Sequence, residues 1–517
     1  MRTTTAFPAS LAMTLTPLQR WAQSRTRVRL AFEGLALLLV FAAGFALIQF
    51  ATPALADHDG YYHLRLARLL WTDGLKPLFV WLPLSILSPA AYYDHHFLHH
   101  VYLALFAWSS EPADLILGAK LASSLMPALA FLAIWWLLRG QGVRWPAVWA
   151  LALFAVSEPF LYRLSMPRAQ AASLLGLALG LHWLLQRRYR ALLPLGFVYV
   201  WWYNAFPLLL VVAGTSVVAT WLTERRVEWP ALLYPALGLA LGLIVNPYFP
   251  QNITFILQHV LPKIGPAATA TAVGNEWYPY ETWTLVENSS GALAAFILGA
   301  FALGWRGQRM DRRTLTAFGL AVAFGFMLFK SRRFVEYAPA FALIFAAFSL
   351  APILETWLAE RARWTRAALA GALLTLALPL ALTVRDARGL MATSLPAERY
   401  AGAMRWLSAN AAPGSLLFQT DWDDFPRLFF YNTDSLYTIG LDPTYLELYD
   451  GALYAEWVKI TRGQVAAPGA AIRDRFGAEY VFSDLKHTAF LKQAADDPGL
   501  REIYRDADAV LFAVVRP

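Results

Sequence analysis

Leu35–Ala51 reads LALLLVFAAGFALIQFA, seventeen residues with one polar side chain, Gln49, and no charge. A run this long and this apolar suits a bilayer, whose hydrocarbon core takes ~20 helical residues to cross. Arg20, Arg25, Arg27 and Arg29 stand shortly before it. A cleavable leader has a shorter apolar run ahead of a small-residue site. Ala54-Leu55-Ala56 weakly resembles such a site, but the run before it is long enough to span. The opening therefore reads as a signal anchor, with residues 1–29 as a cytoplasmic segment.

Comparable runs recur at 115–138, 146–160, 168–186, 191–203, 205–222, 229–247, 291–305, 314–330, 335–356 and 366–384. Together they predict a mainly α polytopic membrane protein with about 11 or more transmembrane helices, over residues 30–384. The arginines test this layout. Arg139 and Arg144, then Arg187, Arg188 and Arg190, then Arg225 and Arg226, the cluster Arg306 to Arg313, and Arg361 to Arg366 all fall in loops on one side. Positively charged loops stay in the cytoplasm, so this side is inside. Three long segments then face outward: 52–114, 248–290 and everything from 385 to 517. The last has ordinary globular composition. Residues 396–410 read as an amphipathic helix. Ser415–Thr420, Tyr480–Ser483 and Ala509–Val515 read as strands, predicting a C-terminal soluble α/β domain.

Composition agrees. Of the 517 residues 58% are hydrophobic and 15% charged, against about 25% charged in soluble domains. The net charge of +8 does not signal a nucleic-acid partner, because the basic residues are scattered between apolar runs instead of sharing one face. With no cysteine in the chain, disulfides, thiolate metal sites and cysteine nucleophiles are excluded. No phosphate-loop or dinucleotide fingerprint occurs.

The informative polar residues lie on the outer side. Asp57 and Asp59, two apart just beyond the first span, can offer oxygen ligands to a hard divalent cation such as Mg²⁺ or Mn²⁺, or can cap the helix that follows. His63 and Arg65 add polar or cationic groups for an anionic substrate. Farther along stand Asp94, His95, His96, His99 and His100. His95 and His99 are four apart, a helical metal-ligand spacing, and Asp94 with His95 is a further candidate ligand pair. Without an H-E-x-x-H pattern, the cluster equally suits hydrogen bonding to an anionic lipid head. Glu287, just before a span, is costly at membrane level unless paired or bound to metal. Arg332 and Arg333 break the positive-inside pattern, and guanidinium groups bind phosphate oxygens in pairs; snorkelling or pairing with Glu336 is the alternative. Asp421-Trp422-Asp423-Asp424 follows the first strand of the C-terminal domain as an acidic, aromatic loop.

Taken in order, these elements resemble the catalytic subunits of oligosaccharyltransferases, within the GT-C class of membrane glycosyltransferases. Asp59-Gly60-Tyr61 and Tyr62-His63-Leu64-Arg65 resemble the first acidic motif, and Thr284-Leu285-Val286-Glu287 a motif of the long outer loop. Arg333-Phe334 is similar to the arginine-bearing start of a late span, and Trp422-Asp423 to part of the W-W-D-Y-G motif. The resemblance implies a divergent bacterial relative in the inner (plasma) membrane, its C-terminal domain periplasmic. It implies glycan transfer from a polyprenyl (di)phosphate-linked donor to a protein or other acceptor. Asp59 and Glu287 are then the catalytic pair, positioning a divalent cation (with Asp57) or the acceptor. Arg333, Arg332, His63 and Arg65 face the donor phosphate, and Trp422 and Asp423 the acceptor. Asp59 can instead act as general base on an acceptor hydroxyl. One departure stands out: where the family has a second acidic motif, Tyr162–Gln170 reads YRLSMPRAQ, with no carboxylate. Two other functions remain: a GT-C transferase using a monophosphate-linked single sugar to modify a lipid or glycan, and a transporter or non-catalytic assembly subunit.

Overall fold

The computed structural model describes residues 17–260, 274–307 and 309–515. Residues 1–16 of the expected cytoplasmic segment, and 261–273 of the expected outer loop 248–290, lie outside them. Among the described residues, five helices are long and apolar enough to cross a membrane: Val28–Gln49, Pro112–Gly140, Arg312–Lys330, Ala338–Glu360 and Ala362–Ala392. Two sharply bent pairs raise this to seven, and Gln170–Leu185, Leu208–Glu224 and Pro230–Ile244 are shorter apolar helices. The described residues thus hold five to seven spans by length and composition and do not confirm the expected 11 or more. Short helices account for part of the difference: Leu192–Trp202 has 11 residues, Leu208–Glu224 17, Pro230–Ile244 15 and Gln170–Leu185 16.

The two bends meet. The run 146–160 breaks at Ser157, where Pro146–Ala155 gives way to Glu158–Leu164 at 95°; Thr282–Asn288 meets Ser290–Trp305 at 83°. Ser157 caps the second helix by accepting from the Phe160 amide at 3.3 Å, and Pro159 fits its first turn. The Ser157 and Ser289 hydroxyls, one at each break, lie 3.0 Å apart. Gly291 rests against the Ala155 carbonyl, where a Cβ would come within 2.2 Å of the oxygen. Backbone groups freed at membrane depth must find partners inside the protein, and here each break supplies the other.

The arginine-bearing loops gather at one end of the bundle. Arg312 donates to the Leu185 carbonyl at 2.6 Å and Arg313 to that of Gln141 at 2.6 Å. Arg187 and Arg226 both pair with Glu224 and Glu228.

The last long helix runs on to Ala392, eight residues past the expected end of the span. Beyond it come the helix Ala401–Asn410 and a five-stranded mixed sheet: β1 (Leu416–Gln419), β2 (Leu436–Tyr437), β3 (Tyr480–Asp484), β4 (Leu500–Arg505) and β5 (Ala509–Val514), in the order β2-β1-β3-β5-β4. β1 is parallel to β2 and β3; β5 is antiparallel to β3 and β4. The small α/β unit and its three expected strands are present. One core joins it to the first long loop: Tyr62, Phe79, Trp81 and Tyr92 pack with Phe425, Phe429 and Tyr437. The Trp81 carbonyl accepts from the Tyr437 amide at 2.8 Å, covering the edge strand β2.

Candidate active site

Asp57 and Asp59 lie at the start of the helix Asp59–Thr72, whose N-terminal dipole favours an acidic residue there. Both face Arg168, which stands in the short loop between Glu158–Leu164 and Gln170–Leu185. Its guanidinium grips Asp57 in a fork, Nε on Oδ2 and Nη2 on Oδ1. Nη2 also reaches Asp59 Oδ2 at 2.8 Å, and Nη1 lies 3.5 Å from Glu276 Oε2. Packing holds the loop in place. A Cβ at Gly60 would lie 2.3 Å from the Pro167 ring, so only glycine lets that ring settle beside Asp59. The Pro167 carbonyl lies 3.2 Å from His99 Nε2.

Glu276 is the hub of the cluster. It receives Arg163 at 2.8 Å and Arg333 at 3.1 Å as well as Arg168. The same Nη2 of Arg163, with its Nε at 2.7 Å, also donates to Oε1 of the fully buried Glu336. Arg333 donates to the Tyr203 hydroxyl at 2.6 Å and lies 5.0 Å from the Trp277 ring centroid. These charges set one another. Burial opposes ionisation of Glu276, but Arg333, Arg163 and Arg168 hold it well below the usual carboxylate range. Burial also works against the charge on Arg168, and Asp57, Asp59 and Glu276 overcome it, so the guanidinium stays protonated. Burial pushes the Asp59 carboxyl up to about 7; Arg168 opposes the rise and Asp57, Asp423 and Glu276 add to it.

A histidine cluster backs this site. His63 Nδ1 lies 2.8 Å from His100 Nε2, and His100 Nδ1 lies 2.7 Å from Asp94 Oδ2, an unbroken chain from a buried carboxylate to the helix that bears Asp59. The His96 ring stacks on Tyr203, the partner of Arg333. Burial, helped by neighbouring histidines, pushes His63 and His96 well below the ordinary imidazole value and His99 down to about 3. These rings are neutral donors and acceptors.

The structure thus brings Asp57, Asp59 and Arg333 together with Asp423 beside them, and places the other expected residues elsewhere. Glu287 is exposed on Thr282–Asn288 and pairs with none of the described residues; the carboxylate of that outer segment in the cluster is Glu276. Arg332 turns away to the Pro279 carbonyl at 3.1 Å and the Tyr280 ring. Arg65 is spent on the Phe430 carbonyl and ring. His63 and Asp94 belong to the histidine chain, and His95 stacks on Phe255. Trp422 packs on the core of the C-terminal domain, while Asp423 pairs with His58 at 3.3 Å, beside Asp59. Reading for carboxylates missed Arg163 and Arg168. Their signal was in view, as two arginines on the side that positive-inside statistics leave poor in them.

The expected Mg²⁺ or Mn²⁺ does not fit this donor set. Among the described residues, no three His, Cys, Asp or Glu side chains are arranged to hold a metal ion. Both oxygens of Asp57 and one of Asp59 are turned to a guanidinium.

No family model and no curated protein matches the chain. Solved structures do. The Archaeoglobus fulgidus oligosaccharyltransferase aligns over 93% of this chain and 74% of its own, with a TM-score of 0.62 at 13% identity. The fold is GT-C. ArnT from Cupriavidus metallidurans, bound to undecaprenyl phosphate, shares the GT-C architecture at a TM-score of 0.57 and 16% identity, over 93% of this chain and 98% of ArnT. Mycobacterial arabinofuranosyltransferase AftD gives 0.54 at 16% identity, over 93% and 41%. Identities this low speak for the GT-C fold and leave the chemistry to the residues.

Proposed function

We propose that the chain is a GT-C glycosyltransferase moving a glycosyl group from a polyprenyl phosphate or diphosphate donor to an acceptor at the outer face of the bacterial plasma membrane. One observation carries the reading. In a GT-C fold, the first-loop aspartates and the late-span Arg333 come together in one partly desolvated cluster beside the C-terminal domain. Solved relatives of the fold are in complex with a dolichol-phosphate and with undecaprenyl phosphate.

Asp59 is the group suited to take a proton from an acceptor hydroxyl, since a base works best with a pKa near the working pH and burial pushes its carboxyl up to about 7. The acceptor oxygen bonds to the anomeric carbon as the bond to the phosphate oxygen breaks and leaves its electron pair on that oxygen. Arg333 faces the charge that develops there. One observation favours the monophosphate-linked single sugar as a second reading: the chain spans 98% of ArnT, solved with undecaprenyl phosphate.

The test is transfer from labelled donors by the full chain in vesicles, with monophosphate-linked monosaccharide and diphosphate-linked oligosaccharide side by side. Wild-type protein should transfer from one of them, and Asp59→Asn should lose at least about 100-fold in rate. Failure with every donor of both kinds would return the protein to the transporter or assembly-subunit class.

A further inference from the structure

The charge balance of the cluster raises a question about what neutralises its carboxylates. We infer that the Arg168 guanidinium is the resident cation of this site, standing where a divalent metal would be held, so that glycosyl transfer here is metal-independent. The inference deepens the glycosyltransferase reading and rests on it.

Three observations converge on Arg168. It touches three carboxylates at once, Asp57 through Nε and Nη2, Asp59 through Nη2 at 2.8 Å and Glu276 through Nη1 at 3.5 Å. A planar fork of five N–H donors can bridge such a set, as an ammonium cannot. Its loop is fixed in advance, with Pro167 against Gly60 on one side and on His99 on the other, so no reorganisation is needed to bring the charge into place. And the carboxylates that Arg168 touches already have cations against them: Asp57 and Asp59 have Arg168, and Glu276 has Arg163 and Arg333 as well. A divalent ion entering this set would have to displace the guanidinium and sit beside two further ones. The missing carboxylate in Tyr162–Gln170 is therefore a replacement: ligands for a cation have given way to the cation itself.

In the transfer step, Arg168 holds Asp57 and Asp59 in register for the incoming hydroxyl and contributes fixed positive charge as the bond between the anomeric carbon and the phosphate oxygen breaks. It neither gains nor loses a proton. It is a positioning residue for Asp59.

Two measurements on the full chain in detergent or vesicles test this. Mn²⁺ titration followed by electron paramagnetic resonance should show no stoichiometric site in the wild type at micromolar metal. Arg168→Ala, which uncovers the three carboxylates, should gain one. Transfer by the wild type should be the same, within about twofold, in EDTA and in Mg²⁺, while Arg168→Ala should lose about 100-fold or more and Arg168→Lys less. A tight Mn²⁺ site in the wild type, or activity lost in EDTA and restored by Mg²⁺ or Mn²⁺, overturns the inference. Should no donor support transfer, the functional reading falls, and the wild-type Mn²⁺ titration alone decides the role of Arg168. It also decides if Arg168→Ala fails to fold.

Discussion

The helix Gln170–Leu185 has an arginine network at each end, Arg168 just before its start and Arg187 just after its finish. Sixteen residues at ~1.5 Å each put them about 24 Å apart. The two networks use the same chemistry in opposite circumstances. At the Arg187 end, Arg187 and Arg226 share Glu224 and Glu228 with side chains 41% and 52% exposed. At the Arg168 end the guanidinium is 18% exposed, Arg163 10% and Glu336 fully buried. Water and salt screen the exposed side chains of Arg187 and Arg226, so each of their pairs contributes little. In the second, each charge depends on its partners, because an unpaired one is expensive in a low-dielectric setting. Burial, more than residue type, separates a topological signal from a built site.

The contrast can be broken most sharply at Arg163. Arg163→Ala leaves the buried Glu336 without its cation and should destabilise the protein by about 3–5 kcal/mol, read as a drop in unfolding midpoint in micelles. Adding Glu336→Leu should recover most of that stability without restoring transfer. Recovery of neither would mean that packing, and not charge, dominates there.

A smaller effect comes from pH. The Asp59 carboxyl is raised, so the fraction able to accept a proton grows as pH climbs through about 7. Transfer should rise roughly tenfold per pH unit below that point and level off above it. A flat profile from mildly acid to neutral pH would remove Asp59 from the role of base.

The smallest effect belongs to the other end of the helix. Arg187→Ala and Arg226→Ala should each change stability by less than about 1 kcal/mol and leave transfer untouched. The pair together should weaken orientation in the membrane, scored by protease protection of the C-terminal domain.

How much of this was legible follows from what local pattern can hold. Apolar runs carry the membrane class, and Ser415–Thr420, Tyr480–Ser483 and Ala509–Val515 are short apolar runs between helical stretches, enough to reveal β1, β3 and β5. Asp57, Asp59 and Arg333 stood out because charge is scarce on that side. Glu276 was passed over for Glu287: both stand near tryptophan or tyrosine in the same outer segment, and nothing local says which one meets arginines 113 and 57 positions away. Arg168 lies 111 positions from Asp57, a pairing set by the loop that Gly60 admits and by no periodicity. Of the expected spans, five to seven are long and apolar enough to cross among the described residues; several others are shorter apolar helices, and the run 146–160 breaks at the capping Ser157.

The aromatic core shared by the first long loop and the C-terminal domain has a consequence for how the molecule can be divided. Trp81 gives its carbonyl to the edge strand and its indole N–H to the Thr433 carbonyl, and the Ile86 amide donates to the Tyr445 carbonyl. Cutting at the end of the last long helix would leave half an interior on each fragment, with Phe425, Phe429 and Tyr437 bare on one and Phe79 and Tyr92 on the other. The two segments are one unit of inheritance, about 300 positions apart along the chain. A chimaera that takes its C-terminal domain from another parent must take the first loop with it.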